Sequence, residues 1–216
     1  TEIYTLSLHD ALPISFQESQ TWIFVHKDQT RSVSIEKESF IYQTSSYDCF
    51  KTFSKGLLEG LGKVREIVSA IQQVRRLGLR YVNLIKLDER EEAGEWVRKE
   101  LLGDMLPNQL GKYNFSKIEK HLRLSNSENL IIRYCDRPKQ PPLPPGIVPQ
   151  GLLVPRRVLE RGTRFILLDL DGFRTDRFNF DIETIDSAYC SLNHAAQAAF
   201  ESCTTENAMK KWECQR

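Results

Sequence analysis

The side chains of this sequence that could do chemistry are few and far apart. Two of them, Asp169 and Asp171, follow an apolar run at 165–168 and share one face of a predicted strand. We expect these carboxylates to face solvent or to pair with arginines such as Arg164 or Arg174. With three further residues they make up the candidate ligand-binding or structural polar groups, which are Arg80, Asn83, Asp169, Asp171 and His194.

The stretch FILLDLDG at 165–172 resembles the first motif of the haloacid dehalogenase phosphatases. In that family the first aspartate attacks phosphorus, the second protonates the leaving group, and a magnesium ion lies between them. The context differs here, because the family's motif opens a parallel sheet, whereas one predicted helix and a tail follow Gly172. Phe173 also replaces the usual threonine or valine. We therefore expect neither this phosphatase activity nor its metal ion.

Histidines and cysteines show no spacing typical of a metal site or a nucleophilic pair. His26, His121 and His194 are widely separated, and no C-x-x-C pair occurs. Free buried thiols are the simplest interpretation of the cysteines, which are Cys49, Cys135, Cys190, Cys203 and Cys214. We expect no catalytic residue, no metal and no cofactor. The lack of a complete catalytic group favours a protein that is not an enzyme.

Arg80 and Asn83 lie in an alternating stretch at 79–87 that predicts a strand. Asn83 shares its face with Leu79, Tyr81 and Ile85, whereas Arg80 is on the other face. A buried amide must find hydrogen-bond partners. Asn83 therefore either fixes neighbouring backbone or lines a pocket.

Two segments predict long amphipathic helices. Over about 47–77, apolar residues recur every three or four positions. Gly56, Gly60 and Gly62 interrupt this pattern and each costs about 1 kcal/mol relative to alanine, so we expect a kink, a break or close packing against a sheet. The second helix follows Asp181, a predicted N-cap, and ends near Thr204.

Alternating segments around these helices predict antiparallel strands, and 21–28 is predicted as a strand buried on both faces. The stretches 115–126 and 128–136 predict two hairpin-like strands with a turn near Asn126 and Ser127, and 91–104 predicts a short helix. The order predicts an α+β fold, with an antiparallel sheet or sheets packed against two long amphipathic helices. Each half places paired strands before a helix, which suggests a weak two-half pseudo-repeat. Seven of nine prolines fall at 138–155 and predict a stiff surface loop, the alternative being a polyproline ligand.

Composition narrows the classes of function. An apolar content of 40% indicates a folded globular chain, and no apolar run approaches the ~20 residues that span a bilayer. The formal net charge of +1 gives no basic footprint for nucleic acid. We expect a cytoplasmic protein that contacts neither membrane nor nucleic acid.

Residues 1–14 back-translate without a mismatch into a common short-read sequencing adapter. We interpret them as a non-native leader, followed by a single α+β domain at 16–216 that is truncated at its N-terminus. Loss of Glu2 and Asp10 with this leader changes the net charge from +1 to +3.

The stretch RRLGLRYVNLI at 75–85 resembles the signature of a sporadically distributed bacterial family of unknown function, R-x-G-L-R-Y-x-N. A Y-x-x-F helix start matches Tyr47 and Phe50, an apolar strand ending in acidic residues matches 167–171, and L-x-H followed by F matches Leu192, His194 and Phe200. The resemblance covers most of 20–212. It implies a bacterial protein without an assigned activity, and the family's patchy distribution points to defence or mobile-element systems.

Two functions follow as hypotheses. The first is a non-catalytic protein-interaction or regulatory component with a protein partner. The alternative is a small-ligand-binding or hydrolytic α+β domain with a pocket near Arg80 and Asn83. The oligomeric state is left open at this stage.

Overall fold

The computed structural model of the chain describes residues 20–88, 90–102, 116–137, 152 and 164–213. Over these residues the fold is α+β, and every strand pairing is antiparallel. This confirms the predicted fold class. The leader at 1–14 and the proline-rich segment at 138–155, apart from Leu152, lie outside the described residues. The two-half pseudo-repeat stays a prediction.

The described chain begins with a three-stranded meander. Its strands are β1 (Trp22–Val25), β2 (Arg31–Glu36) and β3 (Ser39–Thr44), in the order β1-β2-β3. The prediction that the first strand is buried on both faces is wrong, because all four of its side chains are exposed. The physical reason is its position, since among the described strands β1 pairs only with β2, and its side chains belong to neither apolar cluster of the fold.

The first helix, α1 (Phe50–Ile67), is shorter than the predicted 47–77. It is nevertheless unbroken at its glycines. A Cβ atom on Gly56 would lie 2.7 Å from the Tyr42 hydroxyl, and one on Gly60 would lie 2.7 Å from the tip of the Phe40 ring. Close packing of α1 on β3 therefore accounts for these two glycines, as one of the sequence alternatives proposed.

A four-stranded sheet forms the centre of the fold. After a two-residue strand β4 (Gln73–Val74), the chain forms β5 (Leu77–Leu87), β6 (Ser116–Arg123), β7 (Glu128–Arg137) and β8 (Arg164–Arg174). The strand order is β5-β8-β7-β6, so β8 is an inner strand. The predicted hairpin between β6 and β7 is confirmed.

The chain then passes through β9 (Phe178–Asn179), which pairs with β4, into the helices α2 (Ile182–Cys203) and α3 (Glu206–Glu213). Asp181 caps α2 as predicted, because its Oδ2 accepts a hydrogen bond from the Thr184 N–H at 2.9 Å. The single short helix predicted before β6 is instead two single-turn 3-10 helices, Ala93–Glu95 and Lys99–Leu101.

Two apolar clusters hold these elements together. The first joins the central sheet to the 3-10 turns and to the end of α2, and Leu168, Val97 and Ala208 within it are fully buried. The second joins α1 to the start of α2 and to Leu77 and Leu79 of β5. The helices therefore cover one face of the central sheet. None of the helices in the described ranges is long and apolar enough to cross a membrane.

Candidate functional site

A buried ion pair lies on the face of the central sheet that does not carry α2. The Asp169 side chain of β8 is 0% exposed, and Arg80 of β5 reaches it from the neighbouring strand. The Nε of Arg80 donates to Oδ1 at 2.7 Å and Nη2 donates to Oδ2 at 2.6 Å. This paired geometry is the strong, two-point form of the arginine–carboxylate interaction.

Arg133 of β7 is a second cation at this carboxylate, and the sequence analysis missed it. Its Nη1 lies 3.1 Å from Asp169 Oδ2 and 3.4 Å from Asp171 Oδ2. Burial lowers the pKa of Arg133, but hydrogen bonds to Asp169 and Glu119 more than offset this effect, so the pKa is raised. The register pairs Arg133 with Asp169 directly, but only the fold shows that β7 and β8 are neighbours.

The ion pairs continue to the edge of the sheet. Arg133 Nε lies 2.9 Å from Glu119 Oε2 on β6, and His121 Nε2 lies 2.7 Å from Glu119 Oε1. The hydrogen bond to His121 and then the one to Arg133 lower the pKa of Glu119. A row of alternating charges therefore crosses all four strands. We call it the charged row, and it consists of Arg80, Asp169, Asp171, Arg133, Glu119 and His121.

The side chains of the charged row bind one another and hold the strands in register. Both oxygens of Asp169 accept hydrogen bonds from guanidinium groups, so both are engaged within the protein and neither is free to attack a substrate. Each strand contributes a side chain whose charge is opposite to that on the neighbouring strand. A shift of any strand would separate these pairs, so the row favours one strand register. In the described ranges, no group of three or more His, Cys, Asp and Glu side chains could hold a metal ion.

Three of the five candidate residues, Arg80, Asp169 and Asp171, thus meet in one cluster, and two do not join it. Asn83 lies on the opposite face of β5, where its Nδ2 donates to the Leu168 carbonyl at 3.1 Å. His194 is exposed on α2. Arg80 and Asn83 therefore do not face a common pocket.

The aspartates pair with arginines, as one of the sequence alternatives proposed, but the arginines named as examples, Arg164 and Arg174, are not those partners. Those arginines are five residues from Asp169 in either direction along β8, which places them on the other face and about 16 Å away. Arg164 donates to the Glu91 carbonyl at 2.9 Å. Arg174 forms an ion pair with Asp176.

Several residues of the signature stretch have packing roles in the structure. Tyr81 donates from its hydroxyl to Asn193 Oδ1 at 2.8 Å, and its ring meets the edge of Tyr47 at a centroid distance of 5.4 Å. Burial is the main cause that raises the pKa of Tyr81. The guanidinium of Arg76 lies 4.9 Å above the Phe173 ring. These contacts hold β5 and the residue before it against α2, against β8 and against the segment that precedes α1.

The cysteines depart in part from the expectation of buried thiols. Cys135 and Cys203 are buried, whereas Cys49 is exposed. Burial raises the pKa of Cys203, and the hydrogen bond to Thr52 lowers the pKa of Cys49. Cys214 lies outside the described residues.

An open cleft of about 480 Å³ lies at the start of α2. Polar side chains line it, but most of them already form hydrogen bonds or ion pairs within the protein. Asp181 caps α2, Arg174 pairs with Asp176, and the Ser191 hydroxyl donates to Glu128 Oε2 at 3.2 Å. Neither Arg80 nor Asn83 lines this cleft.

The most unusual surface is the edge of β1 with which no other described strand pairs, and we call it the free edge of β1. Its four side chains are all apolar and all exposed, namely Trp22 (49%), Ile23 (47%), Phe24 (59%) and Val25 (40%). Natural edge strands usually carry charges, prolines or bulges that prevent a further strand from pairing. β1 has no charged residue and no proline.

A second edge strand provides an internal comparison. β6 lies at one edge of the central sheet, and five of its eight residues are charged or titratable, namely Lys117, Glu119, Lys120, His121 and Arg123. That composition is the usual protection of an edge. Of these two edges, therefore, the one at β6 is protected by charge and the one at β1 is apolar.

The backbone groups of β1 also face outward. The His26 N–H donates to the Arg31 carbonyl at 2.9 Å. In an antiparallel ladder, hydrogen-bonded pairs alternate with non-hydrogen-bonded pairs, so Trp22 and Phe24 bond to β2. The N–H and C=O groups of Ile23 and Val25 consequently point away from the sheet.

Comparison of this chain with protein-family models, with curated proteins and with solved structures found no match. Its function is therefore inferred from geometry and chemistry alone.

Proposed function

We propose that this chain is a non-catalytic protein-interaction or regulatory component, which binds another protein chain along the free edge of β1. The observation that supports this most directly is the run of four exposed apolar side chains on an edge that is unpaired within the described part of the chain. An added strand satisfies the outward backbone groups of Ile23 and Val25 and covers apolar surface on both faces of the sheet.

Ile41 of β3 is 38% exposed and lies in the same row as Ile23, but Ser34 of β2 between them is 0% exposed. The exposed apolar surface that a bound strand can cover is therefore that of β1 itself. The remainder of the proposal, a bacterial and cytoplasmic setting with a link to defence or mobile elements, is supported only by the sequence resemblance and the scattered cysteines.

The test compares three tagged proteins as baits in lysate of the native host. They are the wild type, Phe24→Lys on β1, and Leu122→Lys on β6. Leu122 is a matched control, because it is a 42% exposed apolar residue on the other edge strand. We expect a protein that the wild type and Leu122→Lys retain and that Phe24→Lys loses. An identical set of retained proteins for all three baits, or no retained protein, refutes the proposal.

A further inference from the structure

We infer that the strand that pairs with β1 is β1 of a second copy of this chain, in antiparallel orientation about a two-fold axis beside Ile23. This inference rests on the proposed function and names the partner at the same edge. Pairing of this kind joins two three-stranded meanders into one continuous six-stranded sheet. It is isologous, so the same four side chains provide both halves of the interface.

The register follows from symmetry and from the direction of the backbone groups. A two-fold axis perpendicular to the sheet pairs residues of the same face, and only residues with outward N–H and C=O groups can form hydrogen-bonded pairs. Ile23 and Val25 each meet both conditions opposite their own copies, but only the axis beside Ile23 places all four β1 side chains within the paired segment. Val25 then lies opposite Thr21 of the second copy, and Trp22 lies opposite Phe24.

The side chains are complementary in this register. Trp22 and Phe24 form two symmetric aromatic pairs at non-hydrogen-bonded positions, where opposed side chains are closest. They lie on the face that Phe40 and Tyr42 turn toward α1, as the register across β1, β2 and β3 shows. On the other face, the Ile23 side chains of the two copies meet.

Charge does not oppose the pairing. β1 carries no charged residue, and His26 at its end lies opposite Gln20 of the second copy rather than opposite a charged residue. The formal net charge of the whole chain is only +1, and a near-zero net charge leaves little repulsion between copies.

The exposed area of the β1 side chains indicates how stable the dimer should be. With roughly half of each side chain exposed, the four residues offer on the order of 300–400 Å² per copy, below the ~800 Å² of a standard interface. We therefore expect a weak dimer that forms reversibly as the concentration rises, not an obligate one.

Sedimentation equilibrium of the purified chain, from about 5 to about 500 µM, tests the inference. We expect a monomer–dimer equilibrium for the wild type and for Leu122→Lys, and at least a tenfold weaker dimer for Phe24→Lys. The double variant Trp22→Glu/Phe24→Lys places a carboxylate opposite an ammonium in both symmetric pairs. It should recover much of the lost association, and this recovery should disappear at high salt.

Amide hydrogen exchange on the wild type gives a second readout that needs no variant. At low concentration, the amides of Ile23 and Val25 should exchange fast, whereas those of Trp22 and Phe24 are already bonded to β2. Raising the concentration should protect Ile23 and Val25 and leave Trp22 and Phe24 unchanged.

The outcomes separate this inference from the proposed function. A dimer that Phe24→Lys does not weaken, or a chain that stays monomeric with unprotected Ile23 and Val25 amides, overturns the self-pairing. If a protein of different sequence is still captured by the wild type and lost by Phe24→Lys, the proposed function stands with another partner. If neither association depends on Phe24, both proposals fail.

Discussion

Arg80 and Asp169 form a two-point ion pair across neighbouring strands, although the register does not place them opposite each other. Arg80 lies opposite Asp171, and Asp169 lies opposite Val82. Arg80 reaches diagonally past Asp171 to the deeper carboxylate, at 2.6 and 2.7 Å. Asp169 is fully buried, whereas 23% of the Arg80 side chain is exposed, so the hydrogen bonds of the Asp169 carboxyl group come from protein side chains and not from solvent.

Arg80→Ala is therefore expected to lower the free energy of unfolding by about 3 kcal/mol, because it removes one of two cations from a buried carboxylate. Urea unfolding measures the change. The matched control is Arg75→Ala, whose ion pair with Glu38 joins two side chains that are 71% and 70% exposed. That variant should stay within about 0.5 kcal/mol of the wild type. Equal losses of unfolding free energy for the two variants would show that the burial of Asp169 does not make its ion pair more important than an exposed one.

The glycines of α1 divide into two kinds. A Cβ on Gly62 meets no atom within 4 Å, whereas a Cβ on Gly60 meets the Phe40 ring at 2.7 Å. Gly62→Ala should raise the free energy of unfolding by about 0.5–1 kcal/mol through helix propensity. Gly60→Ala should lower it by about 1–2 kcal/mol, because Phe40 must move. Chemical denaturation of the two variants checks this, and a stabilised Gly60→Ala would contradict the packing of α1 on β3.

Asn83 donates a hydrogen bond to the Leu168 carbonyl and is half-buried. Asn83→Asp replaces this donor by an acceptor, so at neutral pH it should cost about 2 kcal/mol of unfolding free energy. Repulsion from the carbonyl and burial should raise the pKa of the new carboxyl group. The protonated carboxyl can donate again, so the stability of this variant relative to the wild type should be highest below the unfolded pKa of about 3.9 and should fall as pH rises through the folded value.

Asn193→Asp is the control for that experiment. Asn193 Oδ1 accepts from the Tyr81 hydroxyl at 2.8 Å, and a carboxylate accepts equally well. Denaturation at several pH values should show a large, pH-dependent loss for Asn83→Asp only. Similar behaviour of the two variants would mean that the Leu168 hydrogen bond contributes little.

The N-cap of α2 should contribute a pH-dependent part of the stability. The hydrogen bond from the Thr184 backbone N–H, followed by that from the Thr184 hydroxyl, lowers the pKa of Asp181. A lowered folded pKa means that the contribution is present above the unfolded value of about 3.9 and is lost as pH falls through the folded value.

Asp181→Asn keeps an acceptor but removes the charge. Its melting temperature should be lower than that of the wild type at about pH 7, and the two should converge toward about pH 3. Asp181→Ala should be less stable than Asp181→Asn throughout. Thermal unfolding followed by circular dichroism measures all three proteins. A gap between wild type and Asp181→Asn that is constant with pH would show that the carboxylate charge has no role.

Local patterns were enough to predict α2 and its cap at Asp181, the β6–β7 hairpin, and the two faces of β5, because each depends on neighbours in the sequence. α1 was predicted as too long, since Val68, Ile71 and Val74 continue its apolar period. In the structure, Val74 instead pairs with Phe178 in the β4–β9 ladder. These two residues are more than a hundred positions apart in the sequence, so the local pattern could not show their pairing.

The sequence by itself determined the fold class and the alternation that separates Arg80 from Asn83. Only the tertiary structure decided which strands are neighbours. That choice made β1 an exposed edge rather than a buried strand, and it placed Arg133 instead of Arg164 or Arg174 beside Asp169. The physical reason is that the apolar pattern of a strand records its two faces, whereas the free or paired state of its edges depends on backbone groups that every residue shares.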